Sequence, residues 1–280
     1  MTVETIKLDG GAGTIVADRW TASGDRGTVL LLHGSGQTRH SWQRSGPRFA
    51  DAGWTTYALD ARGHGDSDWS ADGIYTLDSL VADLLGVIEQ LDVSPVLIGA
   101  SLGGATSLAA QGEHGPVARA LVLVDIATRI QPSGSERILA FMTSAPDGFG
   151  SLDEVADAIA AYNPHRPRPS NLDGLRKNVR QGDDGRWRWH WDPAFLASRT
   201  EVQGDQRAVR LEAAAATVTV PTMLVRGASS DVLTPEGAAR LQELIPHAVM
   251  REAKAGHMVA GDDNDVFATQ VVDFLDTHLP

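Results

Sequence analysis

The chain has 280 residues, 42% hydrophobic and 21% charged, enough for one sizeable core or a core carrying an inserted subdomain. Its formal net charge is −12, and no Lys/Arg block exceeds short pieces such as RPRP at 166–169. That disfavours nucleic acid as a partner, because neutralising phosphates needs a basic surface. Cys is absent, which excludes disulfides, a thiolate metal site and a thiol nucleophile and agrees with a reducing cytoplasm.

The opening MTVETIKLDG has no basic flank followed by an apolar stretch, so no signal peptide is expected. No apolar run approaches the ~18–20 residues of a membrane span, and the reading is a soluble, cytoplasmic protein. ETIKLD and TIVADRW predict a hairpin around GGAG. TVLLLHG at 28–34 is a buried strand ending in a glycine loop, and a helix is expected over 41–53. TTYALD at 55–60 is the next strand, followed by the loop ARGHGDSD. Over 78–91, Leu80, Leu84, Val87, Ile88 and Leu91 share one helical face. The strands PVLIGA and ALVLVDI follow, with a helix between them that starts after Ser101.

Past Ile126 the strand pattern stops, and 129–216 reads as helical fragments broken by Pro, Gly and Asn, including RWRWHWDP at 186–193. Alternation resumes with the strand TVTVPTMLVRG, the helix PEGAARLQELI, the strand HAVMREA and a closing helix NDVFATQVVDFLDTHL. Strands alternating with helices predict an α/β fold: a mainly parallel eight-stranded sheet with helices on both faces. The expected division is a core of 1–128 and 217–280, with 129–216 inserted after the sixth strand as a helical cap.

The chemistry starts at GASLG, where Ser101 stands between a buried strand and a helix with a glycine two residues to either side. Such a turn pushes the hydroxyl outward, and glycine is needed where strand and helix close on each other. A serine hydroxyl needs a base to take its proton. His257, in the loop AKAGHMVAGDD after the last strand, is the candidate, since reacting groups gather beyond the carboxyl ends of parallel strands. Two carboxylates compete to orient that histidine: Asp231 in RGASSDVLTP, and Asp125 at the end of ALVLVDI. The order Ser, Asp, His favours Asp231 and leaves Asp125 capping the entry to the insertion. The backbone N–H groups of Leu102 and of Ser35, in the loop HGSG, are the candidate oxyanion donors. His33 and His64 read as loop-packing residues. The three tryptophans of RWRWHW read as packing the insertion against the core. Trp42, Phe141, Trp187, Trp189 and Met258 are the candidates for a substrate pocket. The nine histidines are scattered, no dinucleotide or phosphate-binding glycine loop is present, and neither metal nor cofactor is expected.

Together the strand-HGSG loop, ARGHGDSD, GASLG, RGASSDVLTP and AGHMVAGDDND resemble the α/β-hydrolase fold family over essentially the whole chain. The similarity is to its capped branch, which holds epoxide hydrolases, haloalkane dehalogenases, cofactor-free haloperoxidases and small esterases. The resemblance implies a triad of Ser101, Asp231 and His257 and an oxyanion hole of Ser35 and Leu102. Epoxide hydrolases and dehalogenases carry Asp where this chain has Ser101, so the resemblance favours acyl transfer to water. The expected activity is hydrolysis of a small to medium apolar ester or lactone through an acyl-enzyme. Hydrolysis of a C–C bond or perhydrolysis could use the same triad, and a non-catalytic small-molecule receptor on the same fold is the alternative from another class. Nothing in the sequence fixes the oligomeric state.

Overall fold

The computed structural model describes residues 2–11, 13–129, 132–164, 166–197, 201–257, 259 and 264–279. Among the described residues the hydrophobic pattern produces ten strands. β1 (Val3–Gly10) and β2 (Gly13–Trp20) form the hairpin, with Val3 opposite Trp20 and Gly10 opposite Gly13. β3 (Gly27–Leu32), β4 (Trp54–Leu59), β5 (Val96–Ala100), β6 (Ala120–Val124), β9 (Thr222–Gly227) and β10 (Val249–Ala253) complete one eight-stranded sheet. Its order is β1-β2-β4-β3-β5-β6-β9-β10. The β1–β2 and β2–β4 pairs are antiparallel and every other pair is parallel.

The central strands are continuous apolar runs because both sheet faces are covered. Alternate residues serve alternate faces. Leu30, Leu32, Leu97, Leu121, Leu123 and Leu224 face one side, under α2 (Leu77–Leu91), α3 (Leu102–His114), α7 (Glu201–Ala216) and α8 (Pro235–Leu244). Val29, Leu31, Val96, Ile98, Val122 and Val225 face the other, under α1 (Ser45–Asp51) and α9 (Asn264–His278). The helix expected over 41–53 is divided into a 3-10 turn at Arg39–Trp42 and α1. Thr76 caps α2 by accepting the Ser79 N–H, and Asp92 ends it in a left-handed conformation.

Between β6 and β9 lie α4 (Pro132–Met142), α5 (Leu152–Tyr162), a 3-10 turn at Asp173–Asn178, the hairpin β7 (Val179–Gln181) and β8 (Trp187–Trp189), α6 (Ala194–Ala197) and α7. RWRWHW is therefore partly a strand, with Trp187 and Trp189 buried and Arg188 exposed between them. These pieces build their own apolar cluster around Phe149, Val155, Trp189, Trp191 and Phe195. The expected boundary at 216 is corrected by α7. Its Leu211 and Ala215 belong to the core, and a Cβ on Gly112 of α3 would fall 2.3 Å from the Ala214 carbonyl. α7 is thus a core helix, because its apolar residues match the bare face of α3. Among the described residues, no helix is long and apolar enough to cross a membrane.

The loop after β4 fastens the inserted segment to the sheet. Asp192 accepts the Tyr75 hydroxyl at 2.5 Å and donates its own N–H to the Gly63 carbonyl at 2.9 Å. Arg180 donates to the Gly65 carbonyl at 2.7 Å and to Asp66 at 2.5 Å. Beneath that loop, the buried Arg39 guanidinium contacts Asp60, and reaches Asp18 at 2.9 Å and Asp66 at 2.8 Å. Removing one member of a buried charge cluster leaves the others desolvated and unpaired. Arg39→Met is expected to cost about 3–5 kcal/mol of unfolding free energy in urea titrations. A loss under about 1 kcal/mol would mean that the cluster is hydrated and adds little.

Candidate active site

β5 ends in the turn that holds Ser101, whose backbone has φ 48° and ψ −107°. A non-glycine residue with positive φ is strained by about 1–3 kcal/mol and persists only where its surroundings fix it. Two backbone approaches fix it here. A Cβ on Gly99 would fall 2.5 Å from the Gly103 carbonyl, and one on Gly103 would fall 2.5 Å from the Leu32 carbonyl. The Ser101 N–H donates to the Val124 carbonyl at 3.0 Å, and its carbonyl accepts the Ala105 N–H at 2.9 Å. Strand, turn and helix are thereby closed on one another, and the side chain faces a cavity.

That cavity, of about 360 Å³, is lined by both Ser101 and His257, with the loop 34–38 on one side. His257 follows β10, and the path of its loop is set by β9. The Ala228 N–H donates to the Ala253 carbonyl at 2.8 Å and the Ser229 N–H to the Ala255 carbonyl at 3.0 Å. The His257 Nδ1 lies 2.7 Å from Asp125 Oδ2. Asp125 is fully buried and accepts two further bonds, from the Gly227 N–H at 2.8 Å and the Ser230 hydroxyl at 2.5 Å. A carboxylate surrounded by donors is acceptor-only, so the proton of the imidazole sits on Nδ1 and Nε2 is left basic. This is the arrangement that lets an imidazole take a proton at Nε2 while its new charge is stabilised at Nδ1.

The carboxylate expected in that place was Asp231, and the structure corrects this. Asp231 pairs with Arg137 of α4 at 2.8 Å, and its side chain is 35% exposed. Asp125 reaches the histidine because its own φ is 47°, a left-handed turn at the end of β6. Ser230, which the sequence reading did not single out, holds the carboxylate and also accepts the N–H groups of Val232 and Leu233 at 3.2 and 3.1 Å. The order Ser101, Asp125, His257 along the chain is still serine, aspartate, histidine.

Leu102 is the first residue of α3, so its N–H has no acceptor within the helix and lies at the positive end of the helix dipole. Ser35 lines the same cavity. Its loop is held by the Gln37 side chain, which accepts the Gly34 N–H at 2.9 Å, and by His64 Nε2, which accepts the Gly36 N–H at 3.2 Å. His33 is buried, donates from Nδ1 to the Gly34 carbonyl at 2.8 Å and accepts the Ala61 N–H at Nε2 at 3.0 Å. Both histidines are braces for this loop, as their packing role implied.

Of the five pocket candidates, Phe141 and Trp189 line the cavity. Trp42 does not: the 3-10 turn points it into the core, fully buried against Phe267. Trp187 is also turned away, with the Arg176 guanidinium 4.9 Å over its ring. Met258 lies outside the described residues. Trp191, the third tryptophan of RWRWHW, also lines it, and Met142, Ile138, Ile159 and Tyr162 complete the apolar wall without having been singled out. Trp189 and Trp191 stack at 5.0 Å, and Trp191 and Met142 close over Gly36. The alternation of RWRWHW carried a signal for Trp191, but which tryptophan faces a cavity depends on the partner helices α4 and α5. Among the described residues, no group of three His, Asp or Glu side chains could hold a metal ion.

Comparison with known proteins shows the family. The alpha/beta hydrolase fold family model matches residues 27–263, and the chain belongs to that family. An esterase of Mycobacterium tuberculosis is 31% identical over 274 residues, covering 95% of this chain and 88% of the relative. The solved structure of an esterase from that organism aligns with a TM-score of 0.75 at 29% identity, covering 99% of this chain and 93% of the other. A 2-(acetamidomethylene)succinate hydrolase of Mesorhizobium japonicum is 26% identical, covering 89% of this chain and 87% of the relative. A crystal structure of an E-2-(acetamidomethylene)succinate hydrolase aligns with a TM-score of 0.84 at 24% identity, covering 98% of this chain and all of the other, which is a likeness of fold. The protein is an α/β-hydrolase enzyme.

Burial holds His33 and His190 below the ordinary histidine pKa of 6.5, His190 well below. On acidification the unfolded chain therefore takes up these protons before the folded one. Their contribution to stability is complete above about pH 6.5 and falls as pH drops below it, by up to about 1.4 kcal/mol per pH unit for each. Urea unfolding at pH 5.5 and 7.5 is expected to show the higher stability at 7.5. Greater stability at 5.5 would contradict the neutral, buried state of these rings.

Proposed function

We propose that the protein is a serine hydrolase cleaving a carboxylic ester or lactone of a small to medium substrate through an acyl-enzyme. One observation carries the reading: His257, paired with buried Asp125 at 2.7 Å, shares a cavity with Ser101 on its strained turn. In this mechanism Ser101 Oγ attacks the carbonyl as His257 Nε2 takes its proton, and Asp125 stabilises the imidazolium. The negative charge of the tetrahedral intermediate is met by the N–H groups of Leu102 and Ser35. The imidazolium then protonates the leaving alkoxide. Water, deprotonated by the same nitrogen, next cleaves the acyl-Ser101 bond and restores the hydroxyl. The stretch from α4 to α6 acts as a cap, and Phe141, Trp189, Trp191 and Met142 cover the apolar part of the substrate. The relative named an esterase supports ester chemistry. The substrate is a small molecule, and no cofactor takes part.

Stopped-flow hydrolysis of 4-nitrophenyl butyrate tests the roles. A burst of nitrophenolate is expected in the native enzyme and none in Ser101→Ala. Asp125→Asn should lower kcat by about 10³–10⁴-fold, because the wrong tautomer is then favoured. Asp231→Asn should change the barrier by no more than about 0.5 kcal/mol, as a part-exposed site does. The reverse ranking of the two aspartates would return the orienting role to Asp231.

A further inference from the structure

The cavity beside Ser101 has a second wall unlike the first. Arg44, Arg166 and Lys177 line it together with His40, Gln43, Asn163 and Asn178, and among the described residues no Asp or Glu lines it. In a chain with 36 acidic and 24 basic residues, three basic side chains gathered on one cavity are against the composition. The cations come from three separate places: Arg44 between the 3-10 turn and α1, Arg166 after α5, and Lys177 in the 3-10 turn before β7. Elsewhere in the inserted segment Arg168 is matched to Asp153 and Asp157, Arg176 to Asp173, and Arg188 to Asp184. Arg44 and Lys177 have no such partner among the described residues.

His40 supplies no compensating negative charge. It is held below the ordinary histidine pKa by burial, by Arg39 and by Lys177, with Asp18 and Asp60 acting the other way. The segments 40–44 and 177–178 line the same cavity. The Lys177 ammonium is itself lowered by desolvation alone.

We propose that this wall is a carboxylate-binding subsite, so that the ester hydrolysed at Ser101 bears a second, free carboxylate: a half-ester of a dicarboxylic acid. The proposal rests on the ester-hydrolase reading of the same cavity. The apolar wall takes the carbon chain, and the cations fix the end that is not cleaved. Only substrates that span both walls gain both interactions. Cations at a cavity mouth also draw anions in, an effect that salt screens.

The test compares 4-nitrophenyl hydrogen adipate with its neutral counterpart, 4-nitrophenyl methyl adipate. The quantity read is the ratio of their kcat/KM values, which an unspecific loss of folded enzyme does not move. At low ionic strength the native enzyme is expected to favour the monoanion by about tenfold, and 0.5 M NaCl should erode that preference. In the double variant Arg44→Gln/Lys177→Gln the ratio should fall to near one. A native ratio of one or less, or an unchanged ratio in the variant, would overturn the subsite. Should neither ester be hydrolysed, the ester-hydrolase reading fails separately. The subsite is then read by quenching of tryptophan fluorescence, since Trp189 and Trp191 line the cavity. Monomethyl adipate should bind about tenfold more tightly than dimethyl adipate, with the difference lost in the double variant. Equal binding would overturn it.

Discussion

Everything in the site depends on how closely the backbone of β5 approaches the first turn of α3. Gly99 and Gly103 face each other with no room for a Cβ, and Gly103 lies equally close to the Leu32 carbonyl of β3. That contact forces the left-handed conformation of Ser101 and sets the start of α3, and so the direction of the Leu102 N–H. A larger residue at either glycine would separate strand from helix, relieve the serine and move both the hydroxyl and the amide. The fold tolerates the strained residue because β3, β5 and β6 are buried on both faces and cannot shift to relax it.

The second constraint is electrostatic and lies beneath the loop that follows β4. Gly65 has a φ of 57°, and a Cβ there would fall 2.1 Å from the Asp60 carboxylate. The space is used by Asp60 to accept the N–H groups of Arg39 and Asp66 while contacting the Arg39 guanidinium. The loop so held carries Gly63, Gly65 and Tyr75, and these are the points to which Asp192, His190 and Arg180 of the inserted segment attach. One buried ion cluster therefore fixes both the loop that borders Ser35 and the segment that roofs the cavity. ARGHGDSD is the part of the sequence where the core and its insertion are joined.

What was legible in the sequence was local. The runs TVLLLHG, PVLIGA and ALVLVDI could only be strands covered on both faces, and GASLG announced its turn because the glycines and the serine are neighbours in the chain. His257 was legible because it ends a strand on the same edge. The choice between Asp125 and Asp231 was not, since it depends on where two side chains point. Asp125 turns inward on a left-handed backbone, while Asp231 is drawn outward by Arg137, 94 positions earlier. The contribution of Ser230 depends on the same convergence of β6 and β9. Trp42 and Trp187 show the limit from the other side. An aromatic residue announces burial, but whether it faces a core or a cavity is decided by elements far away in the chain. The helical pattern of 201–216 likewise gave no hint that α7 lies on the sheet, because its partner is a bare glycine on α3.

The central claim is that Ser101, and no other hydroxyl, is made nucleophilic by His257 and Asp125. Reaction with a fluorophosphonate followed by peptide mass mapping tests it most directly. The account predicts one adduct per chain, on Ser101, with labelling slowed by orders of magnitude in Asp125→Asn and not in Asp231→Asn. An unlabelled protein, or an adduct on any other residue, would contradict it.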